Sequence, residues 1–287
     1  MEPLREQAPP SGFFRGAGHS LKEIWGCRNL LALLTRREIR AKYKNSVLGM
    51  LWSLIRPLVL LLIYYIVIGK FLGAARGITD FAIYCYTGLT IWTLFSETVS
   101  AATGSIVGNS GIIKKIRLPR EIFPLATTGS ALFNFAIQFC ILIVAALFTT
   151  GLSPGNWLLV PLAILIIVIW GTALGLALAA MNVYLRDVQY LVEVVLLIGF
   201  WLSPVVYTFG KNVKPNVGVA LQEIYLANPV TLAVMGMQKI IWHEGDADTF
   251  PSNLEFRMLI VAAVGLVVLF LSQRLFAKLQ RNFAQEL

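Results

Sequence analysis

The chain has 287 residues, 57% of them hydrophobic and only 14% charged, with a formal net charge of +9. Soluble domains carry about 25% charged residues, so an ordinary water-soluble enzyme is excluded. A backbone in lipid must satisfy its own polar groups, which points to an all-α integral membrane protein.

In chain order, residues 1–29 form a tail with charges, prolines and glycines but no apolar core of a cleavable signal peptide. The first membrane span is therefore expected to act as an uncleaved signal. Residues 30–47 predict a helix at the membrane interface. At 100° per residue Arg36, Arg40 and Lys44 form one stripe with Arg37 beside it, while Leu30, Leu31, Leu34 and Ala41 fall opposite. Such a helix places its apolar side in acyl chains and its basic side at anionic lipid headgroups. A plainer alternative is a basic flank that only sets orientation. Six apolar stretches follow, at about 48–71, 81–107, 122–150, 157–184, 190–209 and 256–276. Each reaches the ~20 residues that cross a ~30 Å hydrocarbon layer as a helix. Arg56-Pro57 in the first reads as a snorkelling Arg beside a proline of the opening turns.

Between the second and third stretches lies GNSGIIKKIRLPREIFP, residues 108–124. Asn109 or Ser110 is placed to cap a short helix, Ile112 and Ile113 give it an apolar face, and Pro119 ends it. This is either a rigid basic docking helix or a charged connector. Polar groups inside the apolar stretches are costly: Glu97 midway along the second, Asn134 and Gln138 one turn apart in the third, Glu193 early in the fifth. Interhelical hydrogen bonds account for Asn134 and Gln138, whereas Glu97 needs a wet cavity, a partner or a proton. Trp92 and Phe95 are one turn apart, and Trp201 and Tyr207 lie in the fifth stretch. These aromatics either anchor the span or offer stacking faces to sugar rings. Arg186-Asp187 is either a boundary pair or part of a gate. Residues 217–242 are moderately apolar, but Asn228-Pro229 cuts them in half. We expect a re-entrant hairpin on the outer side rather than a seventh span.

Charge sets the orientation. Nine Lys and Arg precede residue 48, and Lys114, Lys115, Arg117, Arg120, Arg186, Arg274, Lys278 and Arg281 fall on the same side after six crossings. Both termini are therefore expected in the cytoplasm. The positive charge is then an orientation signal and does not imply a nucleic-acid partner. Three cysteines, with Cys140 in a span, imply no disulfide framework. The sequence contains no phosphate-binding G-x-x-x-x-G-K-[ST] loop and no G-x-S-x-G, and His19 and His243 lack metal-ligand spacing. No catalytic or metal residue is assigned.

The run REIRAKYKNSVLG at 37–49 with Trp52 and Pro57, Gly88-Leu89 with Trp92 and Phe95-Ser96, LPREIFP at 118–124, YLRDV at 184–188, FWLSPVVY at 200–207 and Asn228-Pro229 come in one order. Together they resemble the permeases of type-2 ABC exporters, in particular those exporting cell-surface polysaccharides such as O-antigen, teichoic acid, capsule and galactan. The resemblance implies six spans, an interface helix over 30–47 within a transmembrane domain at 30–287, and outward gate helices around Asn228 and Pro229. It implies a coupling helix carrying Asn109, Ser110, Ile112, Ile113, Lys114, Lys115 and Arg117, and a cytoplasmic gate at Arg186 and Asp187. It further implies a homodimer in the bacterial plasma membrane, served by two soluble ATPase subunits that hold ATP and Mg. The cargo would be a lipid-linked glycan passing Trp92, Phe95, Glu97, Trp201 and Tyr207. A small-molecule exporter, a membrane glycosyl or phosphoglycosyl transferase and a passive channel or scramblase are the competing readings.

Overall fold

The computed structural model describes residues 22–44, 49–71, 73, 78–115, 118–149, 151, 155–242 and 249–287. Residues 45–47 of the expected interface element, 1–21 of the tail, position 150 at the end of the third stretch, and Arg117 lie outside the described residues. Among the described residues every regular element is helical. Helix α1 (Arg28–Tyr43) precedes α2 (Trp52–Phe71), whose last part, Tyr64–Phe71, winds as π-helix. Next come α3 (Phe81–Gly108), the four-residue α4 (Ser110–Ile113), α5 (Ile122–Phe148), α6 (Leu159–Tyr184) and α7 (Val188–Trp201). Helices α8 (Val219–Leu226) and α9 (Pro229–Ile241) meet at an 81° bend. Helix α10 (Leu254–Leu279) leads into a terminal turn, α11 (Phe283–Glu286).

Among the described residues four helices are long and apolar enough to cross a bilayer, α2, α5, α6 and α10, and the bent α8–α9 pair is so when taken as a unit. Two expected spans differ from this standard. Helix α3 has the length, 28 residues or about 42 Å at 1.5 Å per residue, but its Thr, Ser and Gly content lowers its apolarity. The fifth stretch, expected over 190–209, is helical only from Val188 to Trp201. Pro204 carries no N–H and disfavours the helical conformation in Ser203, so the helix cannot run on.

Helix α6 is the centre of the packing, flanked by α3, α9 and α10. Gly171 and Gly175 let it approach α3 closely: a Cβ at Gly175 would stand 2.6 Å from the Cβ of Ala102, and one at Gly171 2.9 Å from Thr98 Cγ2. Small residues four apart are the usual device for bringing membrane helices together. The contacts Thr98–Gly171, Ala102–Gly175 and Asn182 Nδ2 donating to Thr103 O at 3.1 Å show that α3 and α6 run parallel. Trp170 Nε1 donates to Val261 O at 3.1 Å and Tyr184 OH to Leu279 O at 2.7 Å, so α10 is parallel to both.

Helix α3 is rich in hydroxyls, and its buried threonines are satisfied within the helix. Thr87, Thr90, Thr98 and Thr103 each donate to the carbonyl four residues back, at 2.7–2.8 Å. The buried side chains form two clusters. The larger surrounds α9 and the Phe81 half of α3; the smaller joins Leu34, Ile106, Ile113, Ile122, Phe123, Phe276 and Phe283 at the basic end of the bundle.

Candidate functional site

The basic end is organised by α1. Thr35 packs on Gly129 of α5, where an added Cβ would approach to 2.9 Å, and Leu34 is buried in the smaller cluster with Leu30 and Leu31 against it. Leu34 and Thr35 thus face this chain, whereas Ala41 of the expected apolar side is exposed and Leu33 is 61% exposed. Arg36, Arg40 and Lys44 are exposed as a stripe, while Arg37 is half-buried, pairs with Glu38 at 2.8 Å and donates through Nη2 to Asn109 Oδ1.

That contact corrects the role of Asn109. Its side chain caps nothing in α4; Nδ2 donates back to Ser105 O at 2.8 Å, closing the end of α3. In α4, Ser110 and Ile112 are half-buried and Ile113 is 7% exposed, packed into the chain's own cluster. The outward groups are Gly111, Lys114 and Lys115. Nearby Glu121 is buried just before α5; burial pushes its carboxyl up, opposed in part by the Arg274 charge. Arg186 and Asp187 are both exposed in the turn between α6 and α7.

Midway along α3, Glu97 has partners that composition alone did not reveal. Lys42 Nζ stands 3.5 Å from Glu97 Oε2, and Asn134 Nδ2 of α5 donates to the same oxygen at 2.9 Å. Tyr43 OH completes the cluster by donating to Asn134 Oδ1 at 2.9 Å. Gln138 is buried but leaves Oε1 without a partner among the described residues, and Glu193 is exposed on α7. Glu97 belongs to a continuous face. Thr93, Glu97, Ser100 and Gly104, with Ser96 beside Glu97, recur every three or four residues and are only half-covered, as are Trp92, Ala101 and Val107, while 18 of the 28 residues of α3 are buried. A strip of hydroxyls and a carboxylate thus runs along a helix packed among apolar ones.

The expected aromatic lining separates into two kinds. Phe95 is 7% exposed and Trp92 half-buried, their rings 5.8 Å apart with Phe200 5.7 Å from Trp92. Phe95 is thus a packing residue within this chain, while Trp92 keeps part of its surface uncovered. Trp201 is 51% exposed, whereas Tyr207 is half-buried with its OH donating to Trp201 O at 2.9 Å.

Sequence reasoning missed the residues that hold the broken fifth stretch. Beyond Trp201 the non-helical run 202–208 continues along α3 toward its Phe81 end. Gly88 admits it: a Cβ there would stand 3.0 Å from Val205 Cα. Its free carbonyls are taken by side chains from two other helices. Tyr84 OH donates to Pro204 O at 3.1 Å and Tyr207 O at 2.6 Å, Gln238 Nε2 to Pro204 O at 2.9 Å, and Thr231 Oγ1 to Leu202 O at 3.4 Å. The signal available in sequence was Pro204 inside an apolar stretch together with a lone Gln238 in another. Replacing Tyr84 with phenylalanine keeps the shape and removes the one hydroxyl proton that the Pro204 and Tyr207 carbonyls share. We expect a loss of about 1–3 kcal/mol, read as a lower melting temperature in detergent; a variant melting with the wild type would show that the run holds itself.

The bend at Asn228-Pro229 follows the expected chemistry. Asn228 Oδ1 accepts from Val230 N at 3.0 Å as the cap of α9, and Pro229 takes the first helical position. Glu223 of α8 pairs with Arg257 at 2.7 and 2.9 Å, and Trp242 Nε1 donates to Thr79 O at 2.6 Å. Both halves are thus fastened to the starts of α10 and α3. Among the described residues no three or more His, Cys, Asp and Glu gather as a metal site.

Parallel apolar helices, a polar face along the most buried of them and a bent helix pair define a multi-pass membrane permease. The sequence model of the ABC-2 type transporter family matches residues 29–242, and the chain belongs to that family. It is 27% identical over 272 residues to the O-antigen export system permease protein RfbA of Myxococcus xanthus, covering 93% of this chain and 98% of that one. Two RfbA permeases of Klebsiella pneumoniae with the same name are each 26% identical over 259 residues, covering 90% of this chain and 94% of theirs.

Proposed function

We propose that the chain is the membrane subunit of an ATP-driven exporter that moves a lipid-linked polysaccharide, of O-antigen, teichoic acid or galactan type, across the bacterial plasma membrane. The observation that carries this reading is the half-covered polar face of α3: hydroxyls and a carboxylate at membrane depth need water, a hydrophilic cargo or a second copy. The O-antigen export role named for the RfbA relatives supports the cargo class. In this reading two copies close the path, and two soluble ATPase subunits hold ATP and Mg. Helices α2, α3, α5, α6 and α10 and the run from α7 to Thr208 each cross, with both termini in the cytoplasm. The α8–α9 pair dips in from the outer side as a gate. Energy enters only through contacts that the ATPase makes differently in its nucleotide states.

The test is reconstitution. The chain alone in liposomes is expected to hydrolyse no ATP and move no glycan, and the complex with its ATPase subunit to do both. ATP hydrolysis or glycosyl transfer by the chain alone, or glycan flux without ATP, would replace this reading by an enzyme or a channel.

The docking surface we assign is the exposed tip Lys114-Lys115, with Arg117 two residues further on in the sequence. The double variant Lys114→Glu/Lys115→Glu is expected to fold normally yet fail to retain the ATPase in a pull-down. Ile113→Asp would instead bury a charge inside this chain's own cluster and lower folded yield. Full retention by the lysine variant would show the tip to be a mere connector.

A further inference from the structure

We propose that Lys42 and Glu97 form a positioning latch that ties the end of α1 to the polar face of α3, so that movement at α4 is passed to the middle of the bundle through α1. The proposal rests on the exporter reading for its consequence, but not for its geometry.

Helix α1 is fastened to α3 at two places. Arg37 holds Asn109, the residue that joins α3 to α4, and Lys42 holds Glu97, with Tyr43 and Asn134 bracing the same carboxylate. The two anchor points on α3 are twelve residues apart, about 18 Å along its axis, whereas the five residues from 37 to 42 rise only about 7.5 Å. The two long side chains therefore reach in opposite directions, and the helix between them acts as a strut.

The chemistry of the pair suits a latch better than a fixed rivet. Side chains of Lys42 and Glu97 are 35% and 33% exposed, so the contact is open on one side. Both bonds to the carboxylate fall on Oε2; Oε1 has no partner among the described residues. Parting the pair at this depth leaves two bare charges, which is costly unless water or a hydroxyl-rich cargo replaces the partner. Glycan hydroxyls donate well to a carboxylate, so cargo beside Thr93, Ser96 and Ser100 would lower the cost of opening. Lys42 and Glu97 act through position; neither does chemistry.

The experiment has two arms. In the first, the complex with its ATPase subunit is reconstituted with Lys42→Glu, Glu97→Lys and the exchanged pair Lys42→Glu/Glu97→Lys. Each single variant is expected to hydrolyse ATP while delivering about tenfold less glycan per ATP, a typical size for coupling between sites. The exchange should restore most of the ratio. Single variants with the wild-type ratio, or an exchange no better than either single, would overturn the latch. In the second arm no transport is needed. Melting temperatures of Lys42→Met, Glu97→Gln and the double variant of the purified chain should be strongly non-additive; additive losses would overturn the latch. Failure of the wild-type complex to move glycan would count against the exporter reading alone.

Discussion

Replacing Gly175 with leucine is expected to leave almost no folded protein. A single Cβ at this position already falls 2.6 Å from Ala102 Cβ, and at Gly171, one turn away, 2.9 Å from Thr98 Cγ2. Helix α6 cannot back away, because α10 and α9 pack against its other sides and Gly265 of α10 is itself closed against Trp170, with a Cβ reaching 2.6 Å from Nε1. Membrane helices gain little from the hydrophobic effect against one another, so close packing carries their association. Gly175→Ala should cost about 1–3 kcal/mol by overpacking, and leucine adds three more heavy atoms to a space that holds none. The fluorescence-detected gel-filtration profile of a tagged chain reads this directly. A monodisperse leucine variant at wild-type yield would mean that α3 and α6 do not meet as described.

The second large effect concerns topology. In a background free of Cys27, Cys85 and Cys140, single cysteines at Lys214, Ser252 and Lys278 all fall on exposed positions. An impermeant thiol reagent applied from outside should label 214 and 252 and spare 278. The physical basis is that α8 and α9 are fastened at one end of the bundle, by Glu223–Arg257 and Trp242–Thr79. Asn228-Pro229 bends the chain by 81° between them. Labels at 214 and 252 from opposite sides would make the bent pair a crossing, and the outer-gate assignment would fall with it.

Much of the helical layout was legible because apolar runs, prolines and capping residues act locally. The starts of α3, α5, α6 and α10 lie within a few residues of the expected stretches, and the break at Asn228-Pro229 is where proline chemistry demands it. What stayed hidden is of two kinds. Periodicity shows that α1 has an apolar face, but lipid and protein are equally apolar, so it cannot tell which covers Leu34. Pairings such as Lys42 with Glu97, or Gln238 with Pro204, join positions that no short pattern links. The same blindness sent Ile113, Trp92 and Phe95 outward in expectation, whereas the fold turns Ile113 and Phe95 inward and half-covers Trp92.

The non-helical run 202–208 has a consequence for how the bundle can move. A break in a helix is commonly a hinge, but this one is clamped by Tyr84 and Thr231 as well as Gln238, side chains that belong to α3 and α9. Bending there would part three clamping donors together, at about 1 kcal/mol apiece, and leave carbonyls bare in a medium with no water to take them. The Phe81 half of α3, the run itself and α9 must therefore travel as one rigid body. Any opening at that end of the molecule would have to carry this block as a whole rather than bend at the proline.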